Sequence, residues 1–292
     1  MAEELYPEIF SAAAKAKPKR CAVALVETEE QVGPFVHAER RGLIRPVFVG
    51  RKKYDGMTTF IRSKSLHETM AMCSAMLAAG EVEMIFQGNE NRKQFLSYFL
   101  ENEGLDSGST YGAVFYDRER RKTFFVIDPL VAVKPVLEQK VSQVNALAGL
   151  LTSLLPRRRI YGAALAPIET INPKIPSTVI AAVLAQMSTR QQFGRRLAIH
   201  GPLDVDCALS KTAAIRKGVF SEQSGNYDFY VLPDTNSAYF FSTFLKYIGQ
   251  VPTIGVLLHG DNAIVLNSGP LCQKQRLAEI ALAVVAREGR KG

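Results

Sequence analysis

Short apolar runs alternate with helix-like runs along nearly the whole chain, and this alternation is the strongest constraint on its fold. The candidate strands are Cys21–Val26, Pro46–Val49, Glu83–Phe86, Ala113–Tyr116, Thr123–Ile127, Ile160–Leu165, Leu197–His200, Asp228–Leu232, Thr253–Leu258 and Ile264–Leu266. The candidate helices are Leu66–Ala79, Gln94–Leu100, Leu137–Leu155, Val179–Gln191, Asp206–Lys217, Ala238–Ile248 and Gln273–Arg287. Strands separated by helices predict an α/β protein with a largely parallel sheet. The stretch Tyr111–Ile127 predicts an antiparallel pair around the basic turn Arg118–Lys122.

Composition indicates a soluble globular protein of one or two domains. The chain has 292 residues, of which 47% are hydrophobic and 22% charged. It contains no apolar run of about 18 residues, and its acidic N-terminus lacks a signal-peptide pattern, so we expect no membrane association. Its four cysteines lie far apart in apolar or helical settings, and its histidines show no ligand spacing. Reduced thiols, a cytoplasmic location and the absence of a metal site follow as expectations.

The net charge of +8 is spread over several basic clusters. Such a surface attracts polyanions, and both nucleic acid and a CoA-like molecule qualify, although solvated loop charges are the commonest explanation. The clusters are scattered and lack interleaved aromatic residues at recognition spacing. No nucleic-acid-binding motif is visible, so we expect no nucleic-acid partner.

The loop between two apolar runs at residues 166–178 is the main candidate for an anion pocket. Pro176 suits the first turn of a helix, because its missing N–H would be unpaired there anyway. Ser177 and Thr178 offer N–H groups and hydroxyls, and Lys174 adds a positive charge. A helix N-terminus with such groups attracts phosphate or carboxylate. The alternative is that Pro176 and Ser177 merely start a helix, since no Gly-rich phosphate fingerprint is present.

The same segment resembles a known family. Residues 169–178, ETINPKIPST, resemble the segment "ETVNPKMPST" of the phosphate acetyltransferase and phosphate butyryltransferase family, and the butyryltransferase branch is the closer match. Residues 135–140 resemble the family's "APDLEQK", and residues 201–210 resemble "GPLAFDNAVS". Residues 217–221 and 232–234 resemble "KGIxS" and "VPD". Residues 41–50 resemble the family's first strand-and-turn signature. The resemblance covers roughly residues 32–287 in the right order.

The resemblance implies two α/β domains related to the isocitrate dehydrogenase-like α/β/α fold, with a cleft between them. We place the first domain at residues 1–132, completed by 264–292, and the second at 133–263, with crossings near Val133 and Ile264. Family members usually form dimers, so a homodimer is expected.

The resemblance also implies acyl transfer between CoA and phosphate, without a metal or a resident cofactor, CoA being a substrate. The site must bind a dense anion, place the thiol and stabilise the developing oxyanion. Ser268 matches a catalytic position of the family. The expected substrate-binding residues are Gly88, Asp128, Glu169, Asn172, Lys174, Ser177 and Thr178. Asp206 and Lys217 match too, but can equally be explained as a helix N-cap and a cationic helix C-terminus.

Several motif positions depart from the family, and most departures remove polar or charged groups. The lysine of "MKG" is Gln87, and the arginine and aspartate of "SRADS" are Gly269 and Leu271. Tyr239 replaces an asparagine and adds bulk. Arg92, four residues after Gly88, is the best candidate for a compensating cation.

Two functional hypotheses follow. The first is a phosphate acyltransferase acting on a butyryl-CoA-like substrate. The second is a catalytically weakened homologue that binds a CoA-like or phosphorylated ligand, or a partner protein, without turnover. The missing arginine is what separates them, because a guanidinium fork cannot be imitated by glycine.

Overall fold

The computed structural model describes residues 5–89, 92–102, 108–260, 262–266 and 272–289, with only the backbone for residues 92 and 100–102. The chain divides into two compact units. The first comprises Met1–Ser109 and Pro252–Gly292, and the second comprises Thr110–Val251.

The first unit alternates helices with mostly parallel strands. Its helices are α1 (Pro7–Ala13), α2 (Gly33–Arg40), α3 (Leu66–Ala78), α4 (Arg92–Asn102) and α10 (Gln273–Glu288). Its strands are β1 (Lys19–Ala24), β2 (Ile44–Gly50), β3 (Phe60–Arg62), β4 (Met84–Gln87), β10 (Thr253–His259) and β11 (Asn262–Val265). They lie in the order β3-β2-β1-β4-β11-β10. All neighbours are parallel except β10 and β11, which form an antiparallel pair.

Helix α10 forms the centre of the first unit's core. Every residue from Arg276 to Ala286 is buried. Apart from Arg276 and Glu279 this stretch is apolar, as expected of a helix inside a protein, and α10 contacts α1, α2 and β10. Its two buried charged residues pair with each other, because Arg276 Nη1 lies 2.6 Å from Glu279 Oε2.

The second unit contains five sheet strands. Its strands are β5 (Ser109–Asp117), β6 (Lys122–Ile127), β7 (Ile160–Leu165), β8 (Leu197–Leu203) and β9 (Phe229–Val231). Its helices are α5 (Leu137–Leu154), α6 (Pro176–Thr189), α7 (Val205–Leu209), α8 (Lys211–Arg216) and α9 (Thr235–Tyr247). The strand order is β5-β6-β9-β7-β8. Only β5 and β6 are antiparallel, so the carboxyl ends of β6, β9, β7 and β8 share one edge.

The opposite edge of this sheet is held by one buried carboxylate. Asp228 accepts hydrogen bonds from Arg158 at 2.6 and 3.1 Å and from the Tyr161 N–H at 2.9 Å. Lys122 Nζ lies 3.0 Å from the same carboxylate. Asp228 therefore joins the amino ends of β6, β7 and β9.

The predicted α/β class is confirmed, and most predicted elements match the structure within a few residues. The antiparallel pair is confirmed as β5 and β6. The sequence analysis missed α1, α2 and β3. It was wrong to predict one helix over Asp206–Lys217, because Ser210 is extended and its Oγ accepts the Ala213 N–H, which starts a second helix.

The domain division expected from the sequence stays a prediction. The compact units change over after Ser109 and after Val251, whereas the sequence places the crossings near Val133 and Ile264. The difference has a physical origin. The hairpin of β5 and β6 belongs to the second unit because β6 pairs with β9. Strand β10 belongs to the first unit because it pairs with β11. The cleft also stays a prediction. Among the described residues, no helix combines the length and apolar character that a membrane crossing requires.

The contact between Gly162 and Phe229 generates a stability prediction. A Cβ added at Gly162 would lie 2.2–2.6 Å from three carbons of the buried Phe229 ring. We expect Gly162→Ala to lower the free energy of unfolding by about 1–3 kcal/mol, because overpacking forces the strands apart. Urea unfolding measures this loss. Gly50→Ala, where an added Cβ meets nothing within 4 Å, is the matched control. Equal stability of Gly162→Ala and wild type would contradict the packing argument.

Candidate functional site

The loop of residues 166–178, which we call the anion loop, follows β7 and is bonded to the first turn of α6. The Asn172 N–H donates to Thr178 Oγ1 at 2.9 Å, and the Lys174 N–H donates to Asn172 Oδ1 at 2.9 Å. The Thr178 hydroxyl lies 3.0 Å from the Asn172 carbonyl and 2.8 Å from the Ile175 carbonyl. These bonds give residues 172–178 one defined backbone path. As predicted, α6 begins at Pro176.

The three candidate ligand groups of this loop differ in availability. Thr178 is fully buried, and its N–H donates to the Ile175 carbonyl at 2.9 Å. The expectation of a free N–H at Thr178 is therefore wrong, and a ligand role for this residue stays a prediction. Ser177 is half-buried and Lys174 is exposed. Lys174 and the Ser177 end of α6 are the groups that a phosphate could reach.

Lys217 joins the anion loop to the loop that follows β8. Its Nζ lies 2.9 Å from Glu169 Oε1, 2.8 Å from Asp204 Oδ2 and 2.8 Å from Asp206 Oδ1. The Cys207 thiol also donates to Glu169 Oε1, at 3.3 Å. We call these five residues the Lys217 cluster. Asp204 and not Asp206 is the N-cap of α7, so the cap expected at Asp206 is wrong.

The charges of the Lys217 cluster support one another. Hydrogen bonds to Asp204, Asp206 and Glu169 raise the pKa of Lys217. The hydrogen bond from Lys217 lowers the pKa of Asp206. At Glu169, burial works in the opposite direction, but the hydrogen bonds from Lys217 and Cys207 prevail and lower the pKa. Burial and the neighbouring carboxylates raise the pKa of Cys207 to about 12, so its thiol is a poor nucleophile at neutral pH.

The donor atoms of Glu169, Asp206 and Cys207 lie within 4.8 Å of one another, a spacing that a metal ion could use. The Lys217 ammonium already contacts both carboxylates. It supplies the positive charge that an ion would bring. We therefore assign no metal to this cluster.

Asp128 organises a second polar group at the same edge, directly after β6. It is 3% exposed and accepts the N–H groups of residues 130–132 at 2.8–3.2 Å and the Gln143 amide at 2.9 Å. Burial raises the pKa of Asp128, although these backbone hydrogen bonds oppose the shift. Asp128 thus shapes the loop after β6, and a substrate contact for it stays a prediction.

Lys140 lies beside Asp128 on the buried face of α5. It is 3% exposed, and its Nζ donates to the Leu232 carbonyl at 2.6 Å, at the end of β9. Burial lowers the pKa of Lys140 to about 8, and the negative charges of Asp234 and Asp128 only partly offset this. Lys140 and Gln143 together connect α5 to the loops after β6 and β9.

In the first unit, Gly88 directly follows β4, and its N–H donates to the Ala24 carbonyl at the end of β1. An added Cβ would lie 2.7 Å from the Ala24 carbonyl oxygen and 2.8 Å from the Val26 nitrogen, so no side chain fits. Gln87, which replaces the family's lysine, is fully buried and donates to Asn89 Oδ1 at 3.1 Å. Its carbonyl accepts a hydrogen bond from the buried guanidinium of Arg276.

Four of the residues singled out from the sequence cannot be placed. Ser268, Gly269 and Leu271 lie outside the described residues, and so does the side chain of Arg92, whose backbone starts α4. The roles proposed for Ser268 and Arg92 therefore stay predictions. Tyr239 is 54% exposed on α9.

The sequence analysis missed three residues that organise the site. They are Lys140, Gln143 and Asp204, and Arg276 plays a similar part in the first unit. Lys140 and Gln143 carried a usable signal, because they stand three residues apart on a helix whose same face is otherwise apolar. Asp204 carried the signal of an N-cap one residue before a helix.

The chain is similar over nearly its whole length to known acyltransferases. The family described as phosphate acetyl/butaryl transferase matches residues 14–285. A probable phosphate butyryltransferase of Bacillus subtilis is 30% identical over 284 residues, which is 93% of this chain and 94% of the relative. A phosphate butyryltransferase of Clostridium acetobutylicum is 27% identical over 96% of this chain and 97% of the relative.

Solved structures show the same fold. A branched-chain phosphotransacylase from Enterococcus faecalis superposes with a TM-score of 0.78 at 17% identity, covering 92% of this chain and 99% of that one. A phosphotransacetylase from Streptococcus pyogenes gives a TM-score of 0.78 at 13% identity, covering 98% and 99%.

The buried ammonium of Lys140 predicts a specific pH dependence of stability. Its pKa is about 8 in the folded state against 10.5 as the ordinary value. Between these values the unfolded chain binds more protons, so stability rises with pH across this window. We expect a gain on the order of 2 kcal/mol between pH 7 and 9.5 that Lys140→Met lacks. Urea unfolding of both proteins at both pH values measures the difference. An equal gain in both would rule out Lys140 as its source.

Proposed function

The chain belongs to the phosphate acetyl/butaryl transferase family, and from this premise we propose that it transfers an acyl group between coenzyme A and phosphate. The family match over residues 14–285 is the observation that carries the proposal. The butyryltransferases among the similar relatives favour a butyryl-CoA-like substrate. The family match and these relatives do not favour the alternative, a homologue without turnover.

The reaction needs an anion site next to a reacting carbonyl. A phosphate oxygen attacks the thioester carbon of acyl-CoA, the C–O bond forms, and the C–S bond breaks. The CoA thiolate leaves and takes up a proton. Lys174 and the N-terminus of α6 provide positive charge for the phosphate, and the bonds of Asn172 and Thr178 keep that helix end in position.

Ser268 and Arg92, both in the first unit, are further candidates that rest on the family resemblance. We propose Ser268 as a hydrogen-bonding partner of the reacting groups. We propose Arg92 as the cation that replaces the family arginine for which this chain has Gly269. Gly88 in the first unit, and Asp128 and Glu169 in the second, each support their own loop, through the close backbone approach, the hydrogen bonds and the ion pair described above.

A cytoplasmic location is part of the proposal. All four cysteines, Cys21, Cys73, Cys207 and Cys272, are free thiols, and three of them are buried. Unpaired cysteines are typical of reducing compartments.

We also propose that the protein is a homodimer joined through α9. Five large apolar side chains on α9 and its C-cap are 54–73% exposed: Tyr239, Phe240, Phe244, Tyr247 and Ile248. With aromatic side chains of about 150–250 Å², the patch offers on the order of 500 Å² per protomer. Two copies together approach the roughly 1,000 Å² that a specific interface requires. A second copy supplies the same uncharged aromatic surface.

The acyl-transfer proposal predicts phosphate-dependent release of CoA thiol from butyryl-CoA. Lys174→Ala should raise the KM for phosphate about tenfold, because a charge-assisted hydrogen bond is lost. A thiol-release assay over a series of phosphate concentrations measures both effects. Lys211→Ala is the control, because it removes an exposed lysine at the start of α8.

Absence of phosphate-dependent thiol release with a panel of acyl-CoAs would overturn the proposed activity. An unchanged KM in Lys174→Ala, with wild-type turnover present, would overturn only the role of Lys174.

The dimer proposal predicts a change of mass on substitution of α9. Wild type should elute at twice the mass of 32.2 kDa in size-exclusion chromatography with light scattering. Phe240→Asp combined with Phe244→Asp should give a folded monomer, because charges cannot be buried in an apolar interface. Ile215→Asp alters another exposed apolar residue, 57% exposed on α8, and should stay dimeric. A monomeric wild type, or a dimeric double variant, would refute the interface.

A further inference from the structure

The anion loop depends at one end on a contact outside itself. Residues 172–178 are held by bonds within the loop and to α6, as described above. Glu169, nearer to β7, has its carboxylate bound to Lys217 and Cys207, besides its own backbone N–H. Both partners come from the segments that follow β8. The Ala166 N–H fixes the start of the loop to the Leu203 carbonyl of β8 at 2.9 Å, and beyond that point the Lys217 cluster ties the loop to these segments.

We propose that Lys217 is a positioning residue of this site: its ammonium acts as a built-in counter-ion that ties the anion loop to the loop after β8. The inference rests on the proposed function, since it concerns the loop that presents Lys174 and α6 to phosphate. No substrate contact is assigned to Lys217 itself.

The geometry explains why a cation is needed there. Glu169, Asp204 and Asp206 all place an oxygen within 2.9 Å of one nitrogen. Without the ammonium, three carboxylates would repel one another, and the loops that carry them would separate. A lysine supplies three donors, which matches the three acceptors.

The position of Lys217 on the backbone also fits this role. Lys217 is the C-cap of α8, and Gly218 follows with a φ of +72°, which ends the helix. Gly218 therefore fixes the end of α8 that carries Lys217, and the Ser210 cap fixes the start of the same helix. The Lys217 side chain is 32% exposed, so its ammonium lies near the surface.

The test separates charge from packing. Lys217→Met keeps most of the side-chain stem and removes the charge. We expect about tenfold faster hydrogen exchange in the peptide covering residues 166–175, and about a tenfold higher KM for phosphate with kcat changed less than about threefold. Lys211→Met, on the same helix, should change neither quantity.

A double variant gives the sharper readout. Glu169→Gln in the wild-type background breaks an ion pair and should loosen the loop. In the Lys217→Met background the same change relieves repulsion, so it should slow the exchange that Lys217→Met had accelerated. This reversal of sign is a coupling between the two sites, and a packing role for the lysine stem would not produce it.

The outcomes decide the inference independently of the activity. Unchanged exchange in folded Lys217→Met, or Glu169→Gln that accelerates exchange in both backgrounds, would overturn the positioning role. If wild type shows no thiol release, the proposed function fails, while the exchange measurements still decide whether Lys217 holds the loop.

Discussion

Parallel pairing of β6, β9, β7 and β8 is the constraint on which the candidate site depends. Parallel strands have their carboxyl ends at the same edge of a sheet. Asp128, Glu169, Asp204 and Asp234 each follow one of these strands, so the pairing brings four acidic residues to one edge. The same edge carries the start of α6. Sites of α/β proteins commonly lie outside the carboxyl ends of strands, and the candidate site of the second unit is at such an edge.

Acidic residues at one edge require partners, and the fold supplies two kinds. Asp128 is buried and accepts hydrogen bonds from backbone N–H groups and the Gln143 amide, and the positive charge of Lys140 lies nearby. The carboxylates after β7 and β8 lie nearer the surface and share the Lys217 ammonium. A buried charge without partners costs several kcal/mol. The site therefore consists of polar groups that hold one another in place before any ligand binds.

Most of the fold could be predicted because its signals are local. The strand β7 matches its prediction at both ends, and α6 begins at the proline that was predicted to start it. The missed elements lack such signals. The start of α2 is a Gly-Pro pair, which is typical of a turn, and β3 has only three residues. The break at Ser210 was missed because the apolar residues on both sides continue a helical pattern. The only local signal of the break is the Ser210 hydroxyl that caps the second helix.

By itself, the sequence determined the α/β class, the family and the loop that starts α6, because these depend on periodicity and on contiguous motifs. It could not determine which charged residues meet. Glu169 and Lys217 are 48 residues apart, and Lys140 and Leu232 are 92 residues apart. Their contacts depend on strand order and register, which place distant loops side by side. Only the tertiary structure decided that Lys217 meets three carboxylates and that Thr178 is used to hold the loop. A side chain's partners are set by packing in three dimensions and not by its neighbours along the chain.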